Sequence, residues 1–374
     1  MTGKMMPNAA GNIAPGRSVK MNKIEHSIKN SVLAYGYMEI FLPVYEYYDI
    51  LKETTFNFKD ENTIRFIDRN TGKSLVLRPD FTPQAARYFA NYMADFPLPA
   101  RVCYDGRVFR NVNLNKGIKS EQLQVGAELY GNDKLDADTE LLMLAKRAFG
   151  DLKIKGCKYV FGHSGFTRRA LELAGDKKTE YHKLLDAKNV DSIKKLITGS
   201  SEADKFLAFL PKAFGGIETI EKIISSCAFD KELSEHIGYI RSLFRNLISL
   251  GFDKNDLIFD ASESRGLDYY TGITFDILHA EVGENLAGGG RYDNLTKNFG
   301  RDVPACGVVF NIEEIYRVDK SDIKLKEIDW LVVGKENFAK SEHLRGEGYT
   351  VFYAGDEQKK SELEKSYSFR NILS

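Results

Sequence analysis

The stretch PARVCYDGRVFRNVNLNKGIKSEQLQVGAELYG, Pro99 to Gly131, decides the architecture. Two segments of strand character, PARVCYDGRVFR and EQLQVGAELYG, flank a polar loop from Asn111 to Ser120. A strand, a loop and a second strand returning beside the first make the unit of an antiparallel sheet. Side chains alternate across a strand, so Gln122, Gln124 and Glu128 share one face, while Leu123, Val125, Ala127 and Leu129 point to the other. The polar face is either washed by solvent, the ordinary state of an antiparallel sheet with one wet side, or the floor of a pocket.

Upstream, Val19, Ile24, Ile28 and Val32 recur at near-helical spacing before Gly36, after a loose lead-in over residues 1–18. YMEIFLPVYEYYD reads as a strand ending at Pro43, and TIRFIDRNTGKSLVLRPD as a hairpin turning at Gly72. Pro83 suits the start of a helix. Downstream, Asp138 to Gly150 is helical, and about 165–251 is a Leu-, Ile-, Lys- and Glu-rich helical insertion. Strand character returns in LIFDAS and GITFDILHA. LAGGGRYDNL reads as a turn leading into a helix, PACGVVF as a strand and NIEEIYRV as a helix start. Residues 321–374 read strand, helix, strand, helix, too few to bury a core of their own easily. The expectation is an α+β chain: a sheet domain over 19–320 with its insertion, then a short α/β tail.

The bulk numbers narrow the function classes. Lys and Arg total 53 and Asp and Glu also total 53, so there is no basic excess of the kind nucleic-acid binding leaves. Cys103, Cys157, Cys227 and Cys306 form no CxxC pair, and the six histidines are scattered, so neither a metal site nor a disulfide framework is expected. No apolar run approaches the ~20 residues of a membrane span, and the lead-in has no apolar core of a secretory signal. A cytoplasmic protein is expected. GxSxG, the P-loop and GxGxxG ahead of a helix are all missing.

Three clusters could carry chemistry. In VLRPDFTPQAARYF, Arg78, Asp80 and Thr82 alternate and would share a face of extended chain. Asp80 and Thr82 are either a helix cap or a carboxylate and hydroxyl aimed at a ligand ammonium. Arg110 closes the first strand of the opening stretch and offers a planar fork for a carboxylate, beside the Gln124 and Glu128 face. In SRGLDYYTGITFD, Arg265 offers a second fork. In a regular strand Tyr269 and Tyr270 face opposite sides, so at most one walls a pocket. GGGRY, Gly288 to Tyr292, is a tight turn or a weak phosphate cradle. Together these residues suit a zwitterionic, amino-acid-like ligand in a sheet-built pocket.

At this point the motifs resemble a known family. RGLDYYTGITFD and AGGGRYDNL…FG…PACGV look like the histidine-specific motifs of histidyl-tRNA synthetases. GYMEIFLPVYE is similar to class II motif 1, and ARVCYDGRVFR…EQLQVGAELYG to motif 2. The resemblance implies a class II antiparallel sheet flanked by helices, dimeric through the motif 1 region. It also implies a histidine pocket: Asp80, Thr82 and Gln124 at the α-amino group, Arg110 and Arg265 toward the carboxylate, Glu128 and Tyr270 at the imidazole with Tyr269 beside them.

The departures fall on the ATP side. Asn111 and Val112 stand where a synthetase has its adenine-reading acid, and Glu314, in NIEE, where motif 3 has an arginine on the ATP phosphates. At an effective dielectric constant of 20 and ~4 Å, that exchange reverses a pair energy of about 4 kcal/mol. RPDFTPQAAR is closer to the synthetase's paralogue, the regulatory subunit of ATP phosphoribosyltransferase. That resemblance implies a non-catalytic chain without cofactor or metal. It implies a short-form ATP phosphoribosyltransferase catalytic subunit as partner and L-histidine as the feedback effector of histidine biosynthesis. A divergent histidyl-tRNA synthetase is the alternative. The tail resembles only the first part of an anticodon-binding domain.

Overall fold

The structure is a computed structural model and describes residues 11–54, 60–112, 120–264, 267, 269–321 and 327–374. The chain divides into two compact units, one built on Met21–Asp319, the other on Lys320–Ser374 with Ile13–Lys20.

The first helix, α1 (Pro15–Leu33), enters the larger unit at Met21 and is followed there by β1 (Met38–Glu39), β2 (Tyr45–Tyr47) and α2 (Tyr48–Thr54). β3 (Arg65–Ile67) and β4 (Ser74–Leu77) precede α3 (Thr82–Tyr92), and β5 (Ala100–Phe109) and β6 (Glu121–Tyr130) precede α4 (Leu135–Asp151). After β7 (Lys158–His163) come α5 (Ser164–Leu173), α6 (Lys178–Asp186), α7 (Val190–Leu196) and α8 (Glu202–Phe209). Then follow β8 (Phe214–Gly215), α9 (Ile217–Ser226), α10 (Lys231–Ser249) and β9 (Leu257–Asp260). The unit closes with β10 (Ile273–Leu278), β11 (Ala287–Arg291), β12 (Ala305–Asn311) and α11 (Ile312–Val318).

Among the described residues, nine strands form one sheet in the order β1-β5-β6-β12-β11-β10-β7-β9-β8. From β5 to β7 every pairing is antiparallel. The pairs β1–β5 and β7–β9 are parallel, so the sheet is mixed toward its edges. One face carries Phe161, Phe275, Val308, Phe310, Val125 and Ala127 into the core. There Phe161 meets Phe244 of α10 at 5.0 Å and Phe310 meets Phe149 of α4 at 5.8 Å between ring centroids. On the other face α3 covers β5 and β6 through two ring stacks, Phe81 on Tyr104 at 4.3 Å and Phe89 on Tyr130 at 4.1 Å.

Several readings differ from the structure. Helix α1 begins at Pro15, inside the expected lead-in, because a proline serves well at a first helical position. In YMEIFLPVYEYYD the expected strand to Pro43 ends at Glu39, and a second short strand follows Pro43: β1 joins the large sheet and β2 pairs with β4 in a small sheet ordered β2-β4-β3. The expected hairpin is the β3–β4 pair, with Gly72 at φ +69°. The segment read as a GGGRY turn is strand β11, between β10 and β12. Tyr269 and Tyr270 precede β10, so strand parity does not separate them.

The smaller unit carries β13 (Glu327–Val333), α12 (Phe338–Gly346), β14 (Val351–Ala354), α13 (Glu357–Glu364) and β15 (Ser368–Leu373). Its all-parallel sheet runs β14-β13-β15. The final strand, SFRNIL, is mostly exposed and lacks the apolar alternation that marks a strand in sequence.

Candidate ligand pocket

The α3 side of the sheet holds a cavity of about 320 Å³. Its floor follows from register. Gly162, Thr274, Gly290, Gly307 and Glu128 form a cross-strand row through β7, β10, β11, β12 and β6. The next row on the same face runs Val160, Asp276, Gly288, Val309 and Gly126. Glycine at five of these ten positions leaves the backbone bare where side chains would fill the space. A Cβ on Gly307 would land on the Glu128 carboxylate, and one on Gly290 would sit 2.9 Å from the Tyr270 ring. The glycine strand serves as the floor of a hole, for which side-chain absence is the requirement.

Glu128 is buried and both its oxygens are engaged. Tyr104 donates its hydroxyl to Oε1 at 2.7 Å and Tyr292 donates to Oε2. Burial pushes the Glu128 carboxyl up to about 7, although the phenol donors favour its ionised form. Burial likewise raises both phenols well above their ordinary value. Tyr104 is possible there because Gly126, its neighbour across β5 and β6, leaves room for the ring.

Asp80 lines the cavity and also accepts the Thr82 backbone N–H at 3.0 Å. That bond belongs to the turn entering α3, whose N-cap residue is Phe81 with no side-chain cap bond, so Asp80 is a pocket residue beside the helix start rather than its cap. Thr82, Gln124 and Arg110 line the same cavity. Gln124 donates through Nε2 to Asn311 at 2.9 Å, leaving its amide oxygen as the end suited to a ligand ammonium. Asn311 donates to Asn285 at 2.9 Å, and Asn285 to Asp276 at 2.6 Å, which extends this polar chain along the wall. Arg110 is exposed at the rim and donates through Nε to the Pro79 carbonyl at 3.0 Å.

Tyr269 and Tyr270 both line the cavity. Tyr269 stacks on Tyr292 at 5.3 Å and meets Tyr270 edge-on at 4.8 Å. Arg265 and most of the loop from Asn111 to Ser120 lie outside the described residues. Arg78, read as sharing a face with Asp80 and Thr82, is instead buried away from the cavity. It donates to the Arg107 and Leu42 carbonyls at 2.8 and 2.9 Å and lies over the Phe81 ring. The backbone turns between β4 and α3, so the alternation of extended chain does not persist past Leu77.

Asp276, Asn285, Asn311, Glu263 and Tyr104 were not singled out in the sequence. For Asn311 the signal was present: it lies four residues after Gly307 on one strand, hence on the same face. Tyr104 gives no such sign, since its role depends on the size of a residue across the sheet. Glu314 also lines the cavity and pairs with Arg317 at 2.8 Å. Asp80, Glu128, Glu263, Asp276, Glu284 and Glu314 thus line the space, against Arg110 as the guanidinium among the described lining residues. Such a site favours cationic or zwitterionic ligands over polyanions.

Residues 10–315 match the family model described as histidyl-tRNA synthetase. A Geobacter metallireducens protein named ATP phosphoribosyltransferase regulatory subunit is 32% identical over 92% of this chain and 82% of its own length. A Thermoanaerobacter pseudethanolicus protein of the same name is 31% identical over 97% of both chains. A Bacillus halodurans structure described as an ATP phosphoribosyltransferase regulatory subunit/histidyl-tRNA synthetase superposes with a TM-score of 0.86 at 22% identity, covering 99% of this chain and 97% of that one. The apo histidyl-tRNA synthetase of S. aureus gives 0.69 at 20% identity, over 98% and 91%. The α+β fold is therefore the class II synthetase fold, and the chain belongs to the histidyl-tRNA synthetase family, within its branch of ATP phosphoribosyltransferase regulatory subunits.

Proposed function

We propose that this chain is a non-catalytic regulatory subunit that activates a short-form ATP phosphoribosyltransferase catalytic chain and binds free L-histidine as its feedback signal. The observation that carries this reading is the cavity: Asp80 and Gln124 suit an α-ammonium, while the Glu128–Tyr104–Tyr292 group suits an imidazole. Asp80, Thr82, Arg110, Gln124, Glu128, Tyr269, Tyr270 and, from the sequence, Arg265 are the residues proposed to hold it. At about 320 Å³ the space lies at the small end of the roughly 300–1,000 Å³ usual for ligand pockets. The carboxylates around it, Glu314 included, oppose a triphosphate.

The reading includes a homodimer through the motif 1 region. The small sheet and its approach expose Phe41, Tyr45 and Ile67, a patch of the kind a partner surface covers. It also places the chain in the cytoplasm. The four cysteines are buried and free, and among the described residues no helix is long and apolar enough to cross a membrane. Calorimetry with L-histidine tests the site: saturable binding supports it, and no heat at millimolar ligand sinks it.

A further inference from the structure

The segment bearing Tyr269 and Tyr270 is gripped from outside the cavity by α5, the first helix after β7. Arg168 of α5 donates through Nη1 to the Leu267 carbonyl at 2.6 Å and the Tyr270 carbonyl at 2.9 Å, and through Nη2 to the Thr271 carbonyl at 3.3 Å. Its neighbour Thr167 donates to the Glu263 carbonyl at 2.8 Å. Arg168 is absent from the cavity wall, and among the described residues no carboxylate pairs with it. A full positive charge is thus directed at three carbonyls of one short segment, an arrangement of charge-assisted bonds stronger than neutral ones.

The opposite side of the segment is tied to β11. Thr271 donates its backbone N–H to the Arg291 carbonyl at 2.8 Å and its hydroxyl to Asp293 at 3.0 Å. Held between these two ties, Tyr270 lies over Gly290 and Tyr269 stacks on Tyr292, whose hydroxyl reaches Glu128. We propose that Arg168 is a positioning residue of the ligand site, setting the two tyrosines over the glycine floor without touching the ligand. This rests on the histidine-site reading above, and it makes affinity depend on the helical insertion through α5.

The test compares Arg168→Met and Arg168→Lys with Arg169→Met in the full chain. Arg169 is a neighbouring arginine whose guanidinium instead pairs with Asp230 at 2.7 Å. L-Histidine calorimetry, melting temperature and hydrogen exchange of the ligand-free protein over 267–275 are measured for each. Arg168→Met is expected to weaken histidine binding about tenfold or more, since charge-assisted bonds to the segment are lost. It should also speed exchange at Thr271 and Gly272. Arg168→Lys should fall between it and the native protein, because an ammonium serves one carbonyl but lacks the fork. Arg169→Met should lower the melting temperature without changing affinity. Native affinity in both Arg168 variants, unchanged exchange, or an equal affinity loss in Arg169→Met would overturn the proposal. If the native protein takes up no histidine, the site reading falls, and exchange in the ligand-free protein still decides whether Arg168 holds the segment.

Discussion

Glu128 concentrates the chemistry of the pocket in one side chain. Its carboxyl titrates near 7 when folded, against an ordinary value of about 4.3 when unfolded. Between those values the folded protein keeps a proton that the unfolded chain has released. Stability therefore falls as pH rises through this window, with the cost fully present above about pH 7, on the order of 3 kcal/mol. Glu128→Gln should remove that slope, so its melting temperature gains on the native protein from pH 5 to pH 8. A constant difference across the range contradicts the burial account. Gly307→Ala should cost ~1–3 kcal/mol by overpacking and abolish histidine binding, because its methyl occupies the carboxylate's position. Denaturant melts and calorimetry check both effects. The polar face of Gln122, Gln124 and Glu128 was legible in the sequence, because β6 alternates without interruption from Glu121 to Tyr130. The two phenols on Glu128 were not, since one arrives from β5 and the other from the residue just past β11.

At the scale of elements, what sequence conceals is whatever lacks a periodic side-chain signal. AGGGR reads as a turn because three glycines erase the alternation, yet β11 is central to the antiparallel core of the sheet. β15 pairs with β13 in parallel register and is tied to it by polar side chains, Arg370 to Asp329 at 3.0 Å and Asn371 to the Asp329 carbonyl at 3.1 Å, so its mostly exposed residues show no apolar alternation. Strand parity misjudged Tyr269 and Tyr270 because β10 starts later, at Ile273. The exposed apolar small-sheet region carries its own prediction. If the proposed homodimer closes over this region, Phe41→Asp should shift sedimentation toward monomer, since a charge buried at an interface is expensive to desolvate. A dimer of native affinity would place the interface elsewhere.

Across the whole molecule, the family fold is retained while the cavity wall carries Glu314 and other acids. Histidine-dependent pyrophosphate exchange should therefore stay at background, and Glu314→Arg alone should not raise it, because Asn111 and Val112 still lack the adenine-reading acid. Regulation asks more: histidine must distinguish two states of the complex, and a coupling of roughly 1–3 kcal/mol suffices. Linkage then requires the catalytic chain to change histidine affinity by the same factor that histidine changes the affinity of the two chains. The most direct measurement is phosphoribosyl transfer by a short-form catalytic chain, with and without this protein, across a histidine titration. The account predicts activity that depends on this protein and falls as histidine saturates the cavity, with Glu128→Ala shifting the inhibition to higher histidine. A catalytic chain equally active alone, or a mixture indifferent to histidine, would contradict it.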